Sequence, residues 1–262
     1  MHFFALHLYF KNYFLVFAIL KSISVFAVDI DGTLTENGGG IIYLPAVESL
    51  RYLMRLGYNV IYVTGRSSVE AYILAVFSGT TKVAVGENGG AVTIAPQKHI
   101  ILASKEKCLR AYEILKKSID GVQLKPVFDR MTEVVLLRNF DINLGRKVLE
   151  ENNLDVSLND SKYAFHINEK GIDKATGLRE ALKILKAEPS DTVAIGDSET
   201  DIPMFDICGH SIALSHAPNQ LKLRAKQVAS GAEGAGLAQA LDSVALNFLG
   251  LRAKNDIPTS GK

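Results

Sequence analysis

From residue 24 onward the chain alternates apolar runs of five to seven residues with helical stretches, and the runs end in polar or glycine residues. That rhythm suits a parallel sheet. Parallel neighbours need a crossover of a dozen or more residues between them, and strands covered on both faces read as continuous apolar runs. The expected fold class is therefore α/β. The first strand is expected over 24–30, and Pro45 then opens a helix that Gly57 closes. A second strand over 59–63 runs into Thr64-Gly65-Arg66, followed by a helix over 67–77 that stops at Gly79. The third strand, 82–85, leads into Gly86-Glu87-Asn88-Gly89-Gly90, a loop too rich in glycine for regular structure.

Between residues 91 and 167 the rhythm changes. A charged helix over 104–119, an extended stretch over 126–137, a helix over 142–151 and short strands around Val156 and Phe165 read as an antiparallel α+β unit. The βα rhythm then resumes with a helix over 174–186, a stop at Pro189 and a strand over 192–195. A short helix near Pro203, strands over 211–214 and 227–229 and a last helix over 236–249 follow. The expected organisation is a core in two pieces, 22–90 and 168–250, interrupted by an inserted domain over 91–167, with a frayed tail over 251–262.

Composition excludes several classes. With 29 basic and 28 acidic side chains there is no electrostatic reason to expect nucleic acid. Two cysteines a hundred residues apart suggest neither a disulfide framework nor a zinc site, and a reducing, cytoplasmic setting fits them. The oligomeric state is open, a homodimer included.

The front end is lopsided. Six of the 12 Phe lie in the first 26 residues, and 16 of residues 1–20 are apolar. His2, His7, Lys11 and Asn12 interrupt that segment, leaving it short of the ~20 apolar residues that span a bilayer, so no stable membrane insertion is expected. A cleaved signal ending at Ala27 would remove the first strand. Residues 1–21 are read as an apolar extension upstream of the working start, with initiation near Leu20 as the expectation. An apolar helix docking on the domain or on a membrane surface is the alternative.

In a parallel α/β sheet, ligands collect at the carboxyl ends of the strands. Here those ends carry Asp29 and Asp31, then Thr64-Gly65-Arg66, then Asp197 and Asp201. Four carboxylates on one rim repel one another and ask for a hard divalent cation with oxygen ligands, of which Mg²⁺ is the usual case. Thr64 and Gly65 offer a hydroxyl and a backbone N–H, and Lys174 a positive charge, a set that suits phosphate oxygens. Together they point to phosphoryl transfer.

The residues DIDGTLT (29–35), VTGR (63–66), GIDKATGL (171–178) and GDSETDIPMF (196–205) resemble the four ordered motifs of haloacid dehalogenase (HAD) superfamily phosphatases. The resemblance implies a Rossmann-like core with a C2-type cap inserted between the second and third motifs. The loop at 86–90 and HINEKGIDK (166–174) look like the sucrose-phosphatase-like branch, which contains the archaeal-type phosphoglycolate phosphatases. By this resemblance Asp29 would be the nucleophile and Asp31 the general acid and base. Mg²⁺ would be held by Asp29, the Asp31 carbonyl, Asp197 and Asp201, and Thr64, Gly65 and Lys174 would bind phosphate. The implied substrate is a small anionic phosphomonoester such as 2-phosphoglycolate. Thr200 stands where many relatives with this cap carry Asn, so one ordering hydrogen bond is in question.

Plainer roles compete at several positions. Asp201 is also expected to cap the helix at Ile202-Pro203. Arg66 is read as a solvated helix-start residue, and His166 as a packed or hydrogen-bonded strand residue. Asn88 serves a turn or faces the substrate. Arg130 is either a solvated cap charge or a partner for a substrate carboxylate. The alternative enzymes are a phosphatase for sugar phosphates or phosphorylated glycosides and a phosphomutase. From another class, a non-catalytic phosphate-binding or membrane-associated scaffold stays open.

Overall fold

The structure is a computed structural model and describes residues 23–36, 40–161 and 163–248. The apolar extension and the tail expected at the two ends lie outside the described residues. The first piece of the chain runs β1 (Val25–Val28), β2 (Thr35–Glu36), β3 (Ile41–Ile42), α1 (Leu44–Arg55), β4 (Asn59–Val63), α2 (Ser68–Ser78), β5 (Ala84–Gly86), β6 (Ala91–Ala95) and β7 (Lys98–Ile101). Next come α3 (Lys105–Ser118), β8 (Val134–Leu136), α4 (Ile142–Glu151), β9 (Val156–Asp160) and β10 (Phe165–Glu169). The last piece runs α5 (Lys174–Leu185), β11 (Thr192–Gly196), α6 (Ile202–Ile207), β12 (His210–Ala213), α7 (Asn219–Arg224), β13 (Gln227–Val228) and α8 (Glu233–Phe248).

All four side chains of β1 are fully buried, which requires cover on both faces of the sheet. Phe26 and Val28 face one layer with Leu50, Leu53, Tyr62, Leu237 and Leu241. Val25 and Ala27 face the other with Val63, Leu178, Leu182 and Phe205. The sheet has eight strands in the order β13-β12-β11-β1-β4-β5-β6-β7. It is parallel from β13 to β5, and β1 pairs with β11 on one side and β4 on the other. The strand order reverses beside β1, so the crevice where a doubly wound sheet takes ligands opens between the ends of β1 and β11.

The boundary expected at residue 91 falls inside this sheet. β6 and β7 form a hairpin that extends it antiparallel from β5. The inserted unit therefore begins after β7. Its three-stranded antiparallel sheet, in the order β8-β10-β9, packs with α3 and α4 around a separate core that includes Leu115, Leu136, Leu158 and Ile167. The extended stretch expected over 126–137 is a strand only at Val134–Leu136. Just before it, the backbone N–H groups of Met131 and Thr132 are taken by Glu87 of the core instead of a neighbouring strand.

Helix boundaries follow local chemistry. Ser67 accepts the Glu70 N–H in a capping box at the start of α2, and Gly79 ends it in the left-handed conformation with φ 72°. Ser104 caps α3, and Asp173 caps α5 in a capping box with Thr176. Cys108 and Cys208 are free and buried, and burial pushes both thiols up to about 12. Among the described residues no helix is long and apolar enough to cross a membrane.

Candidate active site

Asp29 directly follows β1, and its backbone N–H continues the ladder to the Ile195 carbonyl at 3.0 Å, which fixes its side chain at the crevice. Asp197 and Asp201 come from the loop after β11, and Lys174 from the first residue of α5. The structure brings the four together. Lys174 Nζ donates to Asp29 Oδ1 at 2.8 Å and to Asp201 Oδ1 at 2.6 Å, all three side chains being buried. Burial alone would lower the Lys174 ammonium, but Asp201 and Asp29 outweigh it and hold it above its usual value. Burial pushes the Asp29 carboxyl well above the usual carboxylate range. Lys174 opposes this shift, while Asp201 and Asp197 add to it.

Asp201 is held from the other side. Its Oδ2 accepts the N–H groups of Asp197 at 3.0 Å and Ser198 at 2.9 Å and the Ser198 hydroxyl at 3.2 Å. The expected forward cap of the following helix is absent, because the carboxylate turns back to this loop and makes no side-chain bond to α6. Asp197 accepts the Thr33 hydroxyl at 2.8 Å and pairs with His216 Nε2 at 3.2 Å. The Asp197 bond raises the His216 imidazole above its ordinary value. Thr200 bonds the Ser198 hydroxyl at 2.7 Å.

One carboxylate oxygen from each of Asp29, Asp197 and Asp201 lies within 4.8 Å of the others. Three carboxylates share one buried ammonium and one half-buried imidazole, leaving excess negative charge where Asp29 already resists ionisation. An all-oxygen, charge-rich set of this kind fits a hard divalent cation.

Asp31 sits elsewhere on the rim. Its side chain is 50% exposed and is gripped at two points by Arg66, Nε to Oδ2 at 2.8 Å and Nη2 to Oδ1 at 2.6 Å. Arg66 also reaches Glu70 at 3.4 Å. Arg66, two residues ahead of α2 and with its side chain still 38% exposed, is therefore a partly solvated residue that also pairs with two carboxylates. Thr64 is fully buried at the end of β4, and its hydroxyl accepts the Arg66 N–H at 3.1 Å. Asn88 takes the left-handed conformation with φ 52° and its N–H bonds the Thr64 carbonyl at 3.1 Å. A Cβ on Gly65 would lie 3.2 Å from Asn88 Oδ1, so turn and side chain both serve this corner.

The inserted unit touches the same corner. Arg130 is buried, contrary to its reading as a solvated charge, because its Nη1 donates to the Gly65 carbonyl at 3.0 Å and pairs with Glu133 at 3.3 Å. Glu87, fully buried, accepts the N–H groups of Met131 and Thr132 and the Thr132 hydroxyl. His166 is a hydrogen-bonded strand residue, bonded to Glu133 and Ser161. Glu87, Glu133 and His216 are not among the site residues expected from the sequence. An acid inside a glycine loop and a histidine just past β12 were the available signals.

Lys174 is placed by a close approach of backbones. A Cβ on Gly177, one turn along α5, would lie 2.4 Å from Val85 Cγ1 and 2.7 Å from Gly89 Cα. Gly177→Ala is expected to destabilise the protein by about 1–3 kcal/mol, as overpacking does, and to lower turnover by pushing Lys174 off its partners. Urea unfolding midpoints check this, and an unchanged midpoint would refute the contact.

Against known proteins, a family model described as haloacid dehalogenase-like hydrolase matches residues 26–127 and 142–241. A curated phosphoglycolate phosphatase of Nitrosopumilus maritimus is 54% identical over 220 residues, covering 84% of this chain and 95% of that protein. One from Archaeoglobus fulgidus is 38% identical over 226 residues, covering 86% and 96%. Among solved structures, a Thermoplasma acidophilum protein superposes with TM-score 0.77 at 24% identity, covering 86% of this chain and 99% of that one, a likeness of fold.

Proposed function

Since the chain belongs to the haloacid dehalogenase-like hydrolases, we propose that it is a Mg²⁺-dependent phosphatase that hydrolyses 2-phosphoglycolate to glycolate and phosphate through an aspartyl-phosphate on Asp29. The observation that carries the chemistry is Lys174, whose ammonium bridges Asp29 and Asp201 in a buried crevice at the strand ends. The substrate rests on the names of the curated relatives.

Asp29, the Asp31 carbonyl, Asp197 and Asp201 would hold the Mg²⁺. When bound, the ion supplies positive charge that lets an anionic nucleophile meet an anionic phosphate. Thr64, Gly65 and Lys174 bind the phosphoryl oxygens, and Asn88 and Arg130 face the rest of the substrate. Asp29 attacks phosphorus, the bond to the ester oxygen breaks, and its electron pair leaves on glycolate, which takes the proton of Asp31. Asp31, now a carboxylate, accepts a proton from water. That water attacks phosphorus, the bond to Asp29 breaks and inorganic phosphate departs. Asp31 can serve only after leaving Arg66, so the ion pair seen here is a resting arrangement. Two buried free thiols fit a cytoplasmic enzyme, and a homodimer is compatible with the reading.

Phosphate release from 2-phosphoglycolate, hexose phosphates and p-nitrophenyl phosphate tests the proposal. Turnover is expected to be highest on 2-phosphoglycolate, to fall to background in EDTA and to return with Mg²⁺. Protein that releases no phosphate from any of them with Mg²⁺ present would sink the enzyme reading.

A further inference from the structure

We propose that Arg130 determines specificity by receiving a substrate carboxylate on the free edge of its guanidinium, and that buried Glu133, fixed by His166 and Asn168, is the positioning residue that aims it. This rests on the phosphatase reading and adds to it what distinguishes a short phosphorylated hydroxy acid from an uncharged phosphoester of the same length.

The Arg130 side chain is 8% exposed, so its charge needs fixed partners. Nη1 has two, the Gly65 carbonyl at 3.0 Å and Glu133 Oε1 at 3.3 Å. Nε has no hydrogen-bond partner. Nε and Nη2 share the side of the guanidinium turned away from Nη1, and that pair of donors matches the two oxygens of a carboxylate. Gly65 directly follows Thr64 in the turn after β4, so the Nη1 bond to its carbonyl ties this guanidinium to the corner assigned to phosphate.

Glu133 is fully buried and pinned from three sides. Its Oε2 accepts His166 Nδ1 at 3.1 Å and Asn168 Nδ2 at 3.0 Å, and its Oε1 pairs with Arg130. His166 is fixed in turn by the Ser161 hydroxyl at 3.1 Å. Burial pushes the Glu133 carboxyl up, but His166 and Arg130 outweigh it and hold it below its ordinary value. Among the described residues the buried side-chain polar atoms without a hydrogen bond are Arg130 Nε and Glu133 Oε1, two atoms of the same pair. An apolar pair would fill this place at lower cost, since buried ion pairs often contribute little to stability. An incomplete pair beside the phosphate corner is what a site completed by its substrate requires.

The test uses the full chain with Mg²⁺ and two substrates of equal length, 2-phosphoglycolate and ethyl phosphate, which lacks the carboxylate. The wild type is expected to prefer 2-phosphoglycolate. Arg130→Lys, which keeps the charge and loses the fork, and Glu133→Gln, which loosens it, are each expected to lower kcat/KM for 2-phosphoglycolate by about 10–100-fold, through KM more than kcat. The ratio to ethyl phosphate then falls by a similar factor. Equal losses on both substrates, a loss in kcat alone or an unchanged ratio would overturn the inference. Should Glu133→Gln yield no folded protein by circular dichroism, Arg130→Lys decides on the same ratio. A wild type equally active on both substrates overturns this inference and leaves the phosphatase reading standing, whereas one inactive on both overturns the two together.

Discussion

Asp29→Asn is expected to reduce phosphate release by on the order of 10⁴-fold or more, because an amide cannot form the acyl-phosphate and the remaining groups have no second nucleophile to offer. The fold is expected to survive. Asn has nearly the same shape, and burial disfavours the charged carboxylate at this position, so replacing it with a neutral amide removes a desolvation penalty. Lys174 keeps Asp201 as a partner at 2.6 Å. Steady-state turnover together with a thermal melt checks both halves. Residual activity near wild type in a folded variant would remove Asp29 from the chemistry.

Lys174→Met carries the second large effect, on activity and stability at once. It strands Asp29 and Asp201 as buried carboxylates without their cation, which costs about 3–5 kcal/mol when one partner of a buried pair is removed. Turnover should fall by about 10²–10³-fold at least, as when a donor to the transition-state charge is lost. The pH dependence has a definite sign. Lys174 is held above its usual value, so its pairing contributes fully below the unfolded-state pKa of about 10.4 and fades only as pH rises through the folded value. The gap in urea midpoint between wild type and variant, measured in EDTA, should therefore not close between about pH 7 and pH 9. A gap that closes by pH 9 would count against the pairing.

Much of this was legible in the sequence because it is written in short-range pattern. Strand β4 was expected over the residues it occupies, and Gly79 marked the end of its helix by its own chemistry. Asp29, Asp197, Asp201 and Lys174 were legible because each stands at a strand end or helix start, where a parallel sheet gathers ligands. The hairpin β6–β7 was assigned to the inserted unit because an apolar run does not say which sheet it joins. The same limit hid the partners of Arg66 and Glu133. Arg66 meets Asp31 from 35 residues away, and His166 meets Glu133 across 33, so neither pairing exists until the tertiary fold does.

The position of β1 at the middle of the sheet also bears on how the protein is made. Its neighbour β4 follows within 40 residues, but Val25 pairs with Thr192 on its other side. A chain emerging from the ribosome N-terminus first completes the inserted unit, with its own core, while β1 still has one edge bare. Pairings this distant in sequence slow folding. The nascent core therefore carries a half-paired apolar strand through much of synthesis, and Asp29 waits for a lysine 145 residues downstream.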